Sequence, residues 1–366
     1  MKRTSRIPRR VFSAGLLATL ATASGMSRPA VAADDKKIKF KIASGHNASW
    51  HFIQITQKYF MPEMKKRVME RTGYEVEFTE GFAGAMVKPT EVLAGVQSGV
   101  IDIGVFCVCH EGQKLLLHNF PYYLPFGPDD PVVSVNATRK VYDTLPELNQ
   151  ILEKTYGQRL LTLIPFEPYN IISRVPIHGP ADVKGRKISC AGPNVFWMED
   201  VGGLPLSITG PEVYTGFQSG LMDGNVVFMS IMDTLQLYDV APYLIDIGFG
   251  SMSTAVIHMN ARRLDRLPQE VKDIVLEVSR DTETFAGKYT QEVIDKYEDI
   301  IKKRGAKIIK VDAANRAAWA DALKATPGKM AHKFDLEAKV PMSAAMNAYI
   351  AATEAAGYKW PVQYKI

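Results

Sequence analysis

The sequence predicts an α/β protein built as two similar lobes, and three observations carry that prediction. The chain opens on a strand–helix–strand unit and keeps alternating in the same way downstream, which argues for α/β layers with largely parallel sheets. It repeats one phrase: VLAGVQSGVIDIGVF, Val92 to Phe106, is echoed by VYTGFQSGLMDGNVVF, Val213 to Phe228. It also holds one amphipathic segment, Leu267 to Arg304, longer than a single small domain accommodates.

Each element has its own justification. Lys37 to Ala43, KIKFKIA, alternates polar and apolar residues and reads as a first strand. After a Gly-Asn-Ser loop, a helix is expected from about Trp50 to Arg71, ended by Gly73, with YEVEFT (Tyr74 to Thr79) as a second strand. In both copies of the repeated phrase a helix stops at a glycine, Gly99 or Gly220, turns, and feeds a strand, and the Q-S-G core and the following Asp keep the same spacing. Two halves of one design with a cleft between them form a ligand-clamping architecture. In the long segment Val271, Ile274, Val275, Val278, Phe285, Ala286, Tyr289, Val293, Tyr297, Ile300 and Ile301 recur in steps of three and four nearly throughout. Pro268 suits its first turn and Gly305 its C-cap. Unbroken, it would run about 55 Å at 1.5 Å per residue. Gly287 costs only about 1 kcal/mol inside a helix, so one helix crossing both lobes is expected rather than two. The Ala-rich stretch from Ala313 to Tyr358 reads as packing helices, broken near Pro327-Gly328 and at Pro341.

The 366 residues suffice for two domains. The formal charge of +5 misleads, because residues 1–32 hold six cations (Lys2, Arg3, Arg6, Arg9, Arg10, Arg28) and no acid. The remainder has 38 Lys+Arg against 39 Asp+Glu, which calls for neither nucleic acid nor an anionic membrane. Those 32 residues read as an export signal: a basic start, an uncharged stretch from Val11 to Ala23, and Ala30-Val31-Ala32 as a small-x-small cleavage site. Arg9-Arg10 followed by Phe12 suggests the twin-arginine route. The mature chain is thus expected to be periplasmic. Of three cysteines, Cys107 and Cys109 look too close for an unstrained bridge, and a disulfide to Cys190 stays open.

Catalytic signatures are missing. There is no G-x-S-x-G elbow, no H-E-x-x-H, no P-loop and no glycine-rich dinucleotide loop after the first strand, so neither an enzyme nor a cofactor is expected.

Four stretches carry a resemblance: GVQSGVIDIGV (Gly95 to Val105), LPFGPDDP (Leu124 to Pro131), GPADVKGRKIS (Gly179 to Ser189) and EVYTGFQSGLMDG (Glu212 to Gly224). In this order they resemble the solute-binding proteins of tripartite ATP-independent periplasmic (TRAP) transporters, over nearly the whole mature chain. The resemblance implies a two-lobed periplasmic-binding-protein fold with crossover strands and a long helix spanning both lobes. The first lobe would be residues 33–166 plus 253–292, the second 167–252 plus 293–366. It implies a receptor, monomeric in preference to dimeric, that closes on a small organic ligand and hands it to membrane permease subunits. It also implies an arginine that forks two hydrogen bonds to a carboxylate. Here the chain departs: Ser189 holds that arginine's place, Tyr169 stands near a second arginine's and Val227 near an asparagine's. The scaffold carries over and the carboxylate clamp does not, which favours a monocarboxylate, sulfonate or aromatic ligand over a dicarboxylate.

In this architecture ligands meet loops at strand ends. The expected contacts are His46, Asn47, Trp50, Phe82 and Cys107 in the first lobe, and Phe166, Tyr169, Ser189, Asn194, Trp197, Val227 and Met229 around the second. The set is aromatic and polar and poor in cations, with Arg174 and Arg186 as nearby substitutes. A rival reading gives Cys107, Cys109 and His110 to a soft metal, making the chain a metal carrier.

Overall fold

A computed structural model describes residues 36–208, 210 and 212–366; the expected export signal lies outside them. Among the described residues eleven strands form two sheets. The strands are β1 (Lys37–Ala43), β2 (Glu75–Gly81), β3 (Ile103–Cys107), β4 (Gln158–Ile164), β5 (Tyr169–Ser173), β6 (Lys187–Ser189), β7 (Leu204–Leu206), β8 (Gly224–Phe228), β9 (Tyr243–Asp246), β10 (Ala255–Asn260) and β11 (Lys307–Lys310). The first sheet has the order β2-β1-β3-β10-β4, the second β11-β9-β5-β8-β6-β7.

The sheets are mixed, which corrects the expectation of largely parallel pairing. Strands β5 and β10 run antiparallel to their neighbours. The cause is the chain path. Strand β4 of the first sheet leads through residues 165–168 into β5 of the second, and β9 returns through residues 247–254 into β10 of the first. A strand arriving from the other lobe starts at the cleft, where β3 and β8 end, and so runs against them.

The first strand falls on Lys37–Ala43 as expected, with Phe40 and Ile42 buried and Lys39 and Lys41 exposed. The expected first helix is α1 (His51–Ile55) and α2 (Met61–Thr72), joined by a π-helical turn at Thr56–Phe60 and closed by left-handed Gly73 (φ 70°).

The repeated phrase is one device used twice. Helix α3 (Val92–Ser98) feeds β3, and α5 (Glu212–Gln218) feeds β8, α4 being Pro131–Thr144. In the first copy the Asp102 N–H donates to the Lys41 carbonyl (2.9 Å), and its carboxylate accepts from the Lys41 N–H (2.8 Å). In the second, Asp223 grips Lys187 in the same way, at 2.7 and 3.0 Å. Each Asp thus fixes the strand it opens against its parallel neighbour.

The long segment is a single helix, α6 (Gln269–Lys303), of 35 residues. At its start Arg67 of α2 bonds Glu277 (2.8 Å) and Asp281 (2.6 Å). Midway, buried Glu283 accepts from the Leu163 N–H (2.9 Å) and pairs with Arg139 of α4. Past its end Arg304 bonds Asp233 (2.8 Å), beside β8. The helix therefore runs along both sheets. The Ala-rich stretch holds helices Ala313–Leu323, Thr326–Lys333 and α7 (Met342–Ala355).

Candidate functional site

The cleft ends of β1, β3, β5 and β8 enclose a cavity of about 320 Å³. One wall comes from the first sheet: Gly45, His46, Asn47, Trp50 and Phe52 after β1, Ala83 after β2, and Cys107, Cys109 and His110 at the end of β3. The facing wall holds Tyr169, Ala191, Ile208, Asn225, Val226, Val227, Phe228, Ile231 and Leu235, and Phe166 stands on the crossover between them. This is the position the fold dictates, because strand ends present side chains on loops held by rigid scaffolds.

Seven of the expected contacts line the cavity: His46, Asn47, Trp50, Cys107, Phe166, Tyr169 and Val227. Five do not. Ser189 is fully buried; its hydroxyl donates to the Ile208 carbonyl (2.7 Å) and accepts from the Ile208 N–H (3.1 Å). It holds the loop whose Ile208 faces the cavity. Trp197 is buried behind Tyr169, ring centroids 5.9 Å apart, with its indole N–H donating to the Tyr122 carbonyl (3.0 Å). Asn194 is buried in the next turn, its carboxamide without a hydrogen bond. Left-handed Ala83 (φ 57°) takes the place expected of Phe82, its N–H bonding the His46 carbonyl (2.8 Å). Phe228 takes the place of Met229. The reading missed Asn225, Phe52 and Ile208 among others; the strand alternation of β8 could have placed Asn225 beside Val227's wall, whereas nothing local marks Ile208.

No Lys, Arg, Asp or Glu is among the described lining residues. Arg174 is exposed, and Arg186 lies outside the lining with its Nε donating to the Asp182 carbonyl (2.5 Å). Glu167, one residue from Phe166, is buried away from the cavity. It accepts from the Ser230 N–H (3.0 Å) and pairs with the Ser230 hydroxyl, and burial pushes it up to about 7.

The polar groups are neutral. The His46 ring packs against Trp50 (4.8 Å), Phe52 (5.1 Å) and His110 (5.2 Å between centroids). Burial, then His110, lowers His46 to about 3, and burial lowers His110 to about 4. The Tyr169 hydroxyl bonds that of Tyr122 (2.8 Å), which accepts from Thr254 (3.0 Å); burial holds Tyr169 well above the ordinary phenol value.

Cys107 and Cys109 form a disulfide, and Cys190 is free and buried. The bridge joins two residues whose spacing in the sequence looks too short for an unstrained one. Cys107 is extended (φ −84°, ψ 129°) and the next residues coil into a 3-10 turn, giving a Cα separation of 5.2 Å, within the range a disulfide needs. With both sulfurs bonded to each other, and no group of three His, Cys, Asp or Glu gathered among the described residues, the metal-carrier reading has no ligand set.

Two lobes joined by crossover strands and one long helix, closing over an uncharged cavity, define a cleft-binding receptor. Comparison with known proteins makes this specific. Residues 47–333 match the family described as bacterial extracellular solute-binding protein, family 7. The chain belongs to that family and is a solute-binding receptor, not an enzyme. A solute-binding protein of Albidiferax ferrireducens is 24% identical over 301 residues, 80% of this chain and 85% of the relative. The C4-dicarboxylate-binding periplasmic protein DctP of Rhodobacter capsulatus is 25% identical over 240 residues, 62% of this chain and 72% of the relative. Among solved structures, a TRAP periplasmic solute-binding protein from Desulfovibrio salexigens with bound orotic acid superposes with a TM-score of 0.73, 20% identity and coverage of 87% and 99%. A Bordetella pertussis extracytoplasmic solute receptor binding pyroglutamic acid gives 0.72, 22%, 86% and 99%. No helix among the described residues is long and apolar enough to cross a membrane.

Proposed function

We propose that this chain is the periplasmic receptor of a TRAP-type secondary uptake transporter, exported by the signal in residues 1–32. It takes a small organic acid or related compound with an apolar or aromatic body: a monocarboxylate, a sulfonate or an aromatic compound rather than a dicarboxylate. The lobes close on it, as a monomer, and the closed form hands it to the membrane permease.

One observation carries this reading: five aromatic side chains, Trp50, Phe52, Phe166, Tyr169 and Phe228, line a cavity with no charged side chain among its described residues. Rings supply large apolar contact for a flat ligand body. A dicarboxylate would bury two charges with no partner, at a cost of several kcal/mol each. The relatives that bind orotic acid and pyroglutamic acid, both ring compounds with one acid group, fit the same size and shape class. Native mass spectrometry of the purified mature chain tests the reading. A retained ring compound with at most one acid group is the expected result. A retained dicarboxylate, or a free metal ion alone, refutes it.

A further inference from the structure

We propose that the adjacent His46–His110 pair replaces the missing fixed cation, so that an acid ligand enters the cavity together with one proton. The inference rests on the receptor reading above and names how its site accepts an acid.

The cavity wall leaves few groups that could meet an acid. An acid group sealed in this cavity needs a positive partner or a proton, because an unpaired carboxylate away from water costs several kcal/mol. Among the described lining residues only three side chains titrate: His46, His110 and Tyr169. Tyr169 becomes an anion on titration and cannot supply positive charge, and its hydroxyl is already joined to that of Tyr122, which Thr254 holds in turn. That leaves the imidazoles. They stand side by side, centroids 5.2 Å apart and planes tilted by 34°. The His46 Nδ1 is buried without a partner. Trp50 and Phe52 pack on His46 and fix the ring.

The surroundings do not supply charge in advance. On α1, His51 turns its Nε2 to the Pro165 carbonyl (3.0 Å). On the β2–α3 segment, the Glu91 carboxylate accepts from the Lys88 N–H (3.0 Å) at the surface. Next to His110, Glu111 is paired with Lys114 (2.9 Å). On the facing lobe the lining residues, Ala191, Asn225 and Val227 among them, are uncharged. Burial, joined at His46 by the neighbouring His110, keeps both rings neutral. A bound carboxylate reverses that balance, since an opposite charge within about 4–6 Å favours the charged form. Two adjacent imidazoles oppose double protonation, so one proton is taken up, shared by the pair.

Benzoate and its uncharged isostere benzamide are the probes, titrated calorimetrically into the mature chain at about pH 6 and about pH 8. Benzoate affinity is expected to rise about tenfold per unit of acidification, the slope of one coupled proton. Benzoate heats in two buffers of different ionisation enthalpy should report uptake of one proton, and benzamide uptake of none. In H46Q/H110Q, benzoate binding should weaken and lose its pH slope, while a cooperative urea transition shows that the variant folds. A pH-independent benzoate affinity overturns the proposal, as does a slope that survives in the double variant, which would put the proton on the ligand. Binding of benzamide without benzoate overturns it and leaves the receptor reading standing. Binding of neither removes the aromatic-ligand reading and this proposal with it.

Discussion

At the scale of single residues, the cleft is closed by one contact that only glycine permits. Gly192 has φ +73°, a left-handed conformation that side chains rarely adopt, and a Cβ there would lie 2.7 Å from the Cys109 carbonyl oxygen. Gly192 follows β6 in the second lobe and Cys109 follows β3 in the first, so the two lobes touch where a side chain would part them. Gly192→Val should leave each lobe folded and hold the cleft ajar. The expected result is a larger radius of gyration in solution scattering than the wild type shows, together with loss of any compound retained through purification. Unchanged dimensions with a retained compound would mean that Gly192 does not set closure. Ser189, two residues before Ala191, shows the other side of residue-scale reading. Its sequence position marked it as the place of a carboxylate-binding arginine. Its hydroxyl instead spans the Ile208 N–H and carbonyl, a long-range pairing with no trace in the local sequence.

At the scale of elements, what was legible followed from local periodicity. The alternation of KIKFKIA gave β1 to the residue, and the steps of three and four gave α6 as one helix through Gly287. What was not legible depended on partners. The antiparallel sense of β5 and β10 arises because both cross between lobes, and a strand's own sequence does not say from which side it enters. Gly287 is a similar case. Its cost in helix propensity was visible, but its use was not: a Cβ there would lie 3.1 Å from Val132 Cγ2 and 3.2 Å from Val132 Cα, where α4 crosses α6. Close approach of two helix backbones selects the residue without a side chain. Gly287→Ala gains about 1 kcal/mol of helix propensity and must shift Val132 slightly, so its effect should be small. Gly287→Val adds a branched side chain to the same contact and should destabilise by about 1–3 kcal/mol. Urea unfolding of both variants checks this; equal stability of Val and Ala would mean that the crossing yields freely.

At the scale of the whole molecule, the site's outline was legible because the fold class places strand ends around a cleft, while its chemistry was set by which residues the closed lobes bury. That burial has a consequence for stability against acid. His51, His118 and His258 are buried among apolar groups, and burial lowers them to about 4, about 3 and about 3. In the unfolded chain each should titrate near the ordinary value of about 6.5. As pH falls below that value the unfolded chain binds three protons that the native chain refuses, so stability falls with pH, by about 1.4 kcal/mol per unit for each histidine. Glu167, pushed up to about 7 by burial, works in the opposite sense: between about pH 7 and the ordinary glutamate value, the native chain holds a proton that the unfolded chain releases. Asp129, raised to about 6, opposes in the same way, but it is exposed and solvent weakens its share. His46 and His110, also lowered, offset it. Because the two of them outweigh the one aspartate, about three net protons remain, and stability should fall by ~4 kcal/mol for each pH unit between about 6 and 4.5. Urea midpoints across that range measure the slope, and His258→Leu, which removes one of these histidines, should flatten it by about a third. A midpoint that stays level down to pH 4.5 would mean that the native chain already carries these histidines charged, contrary to their burial.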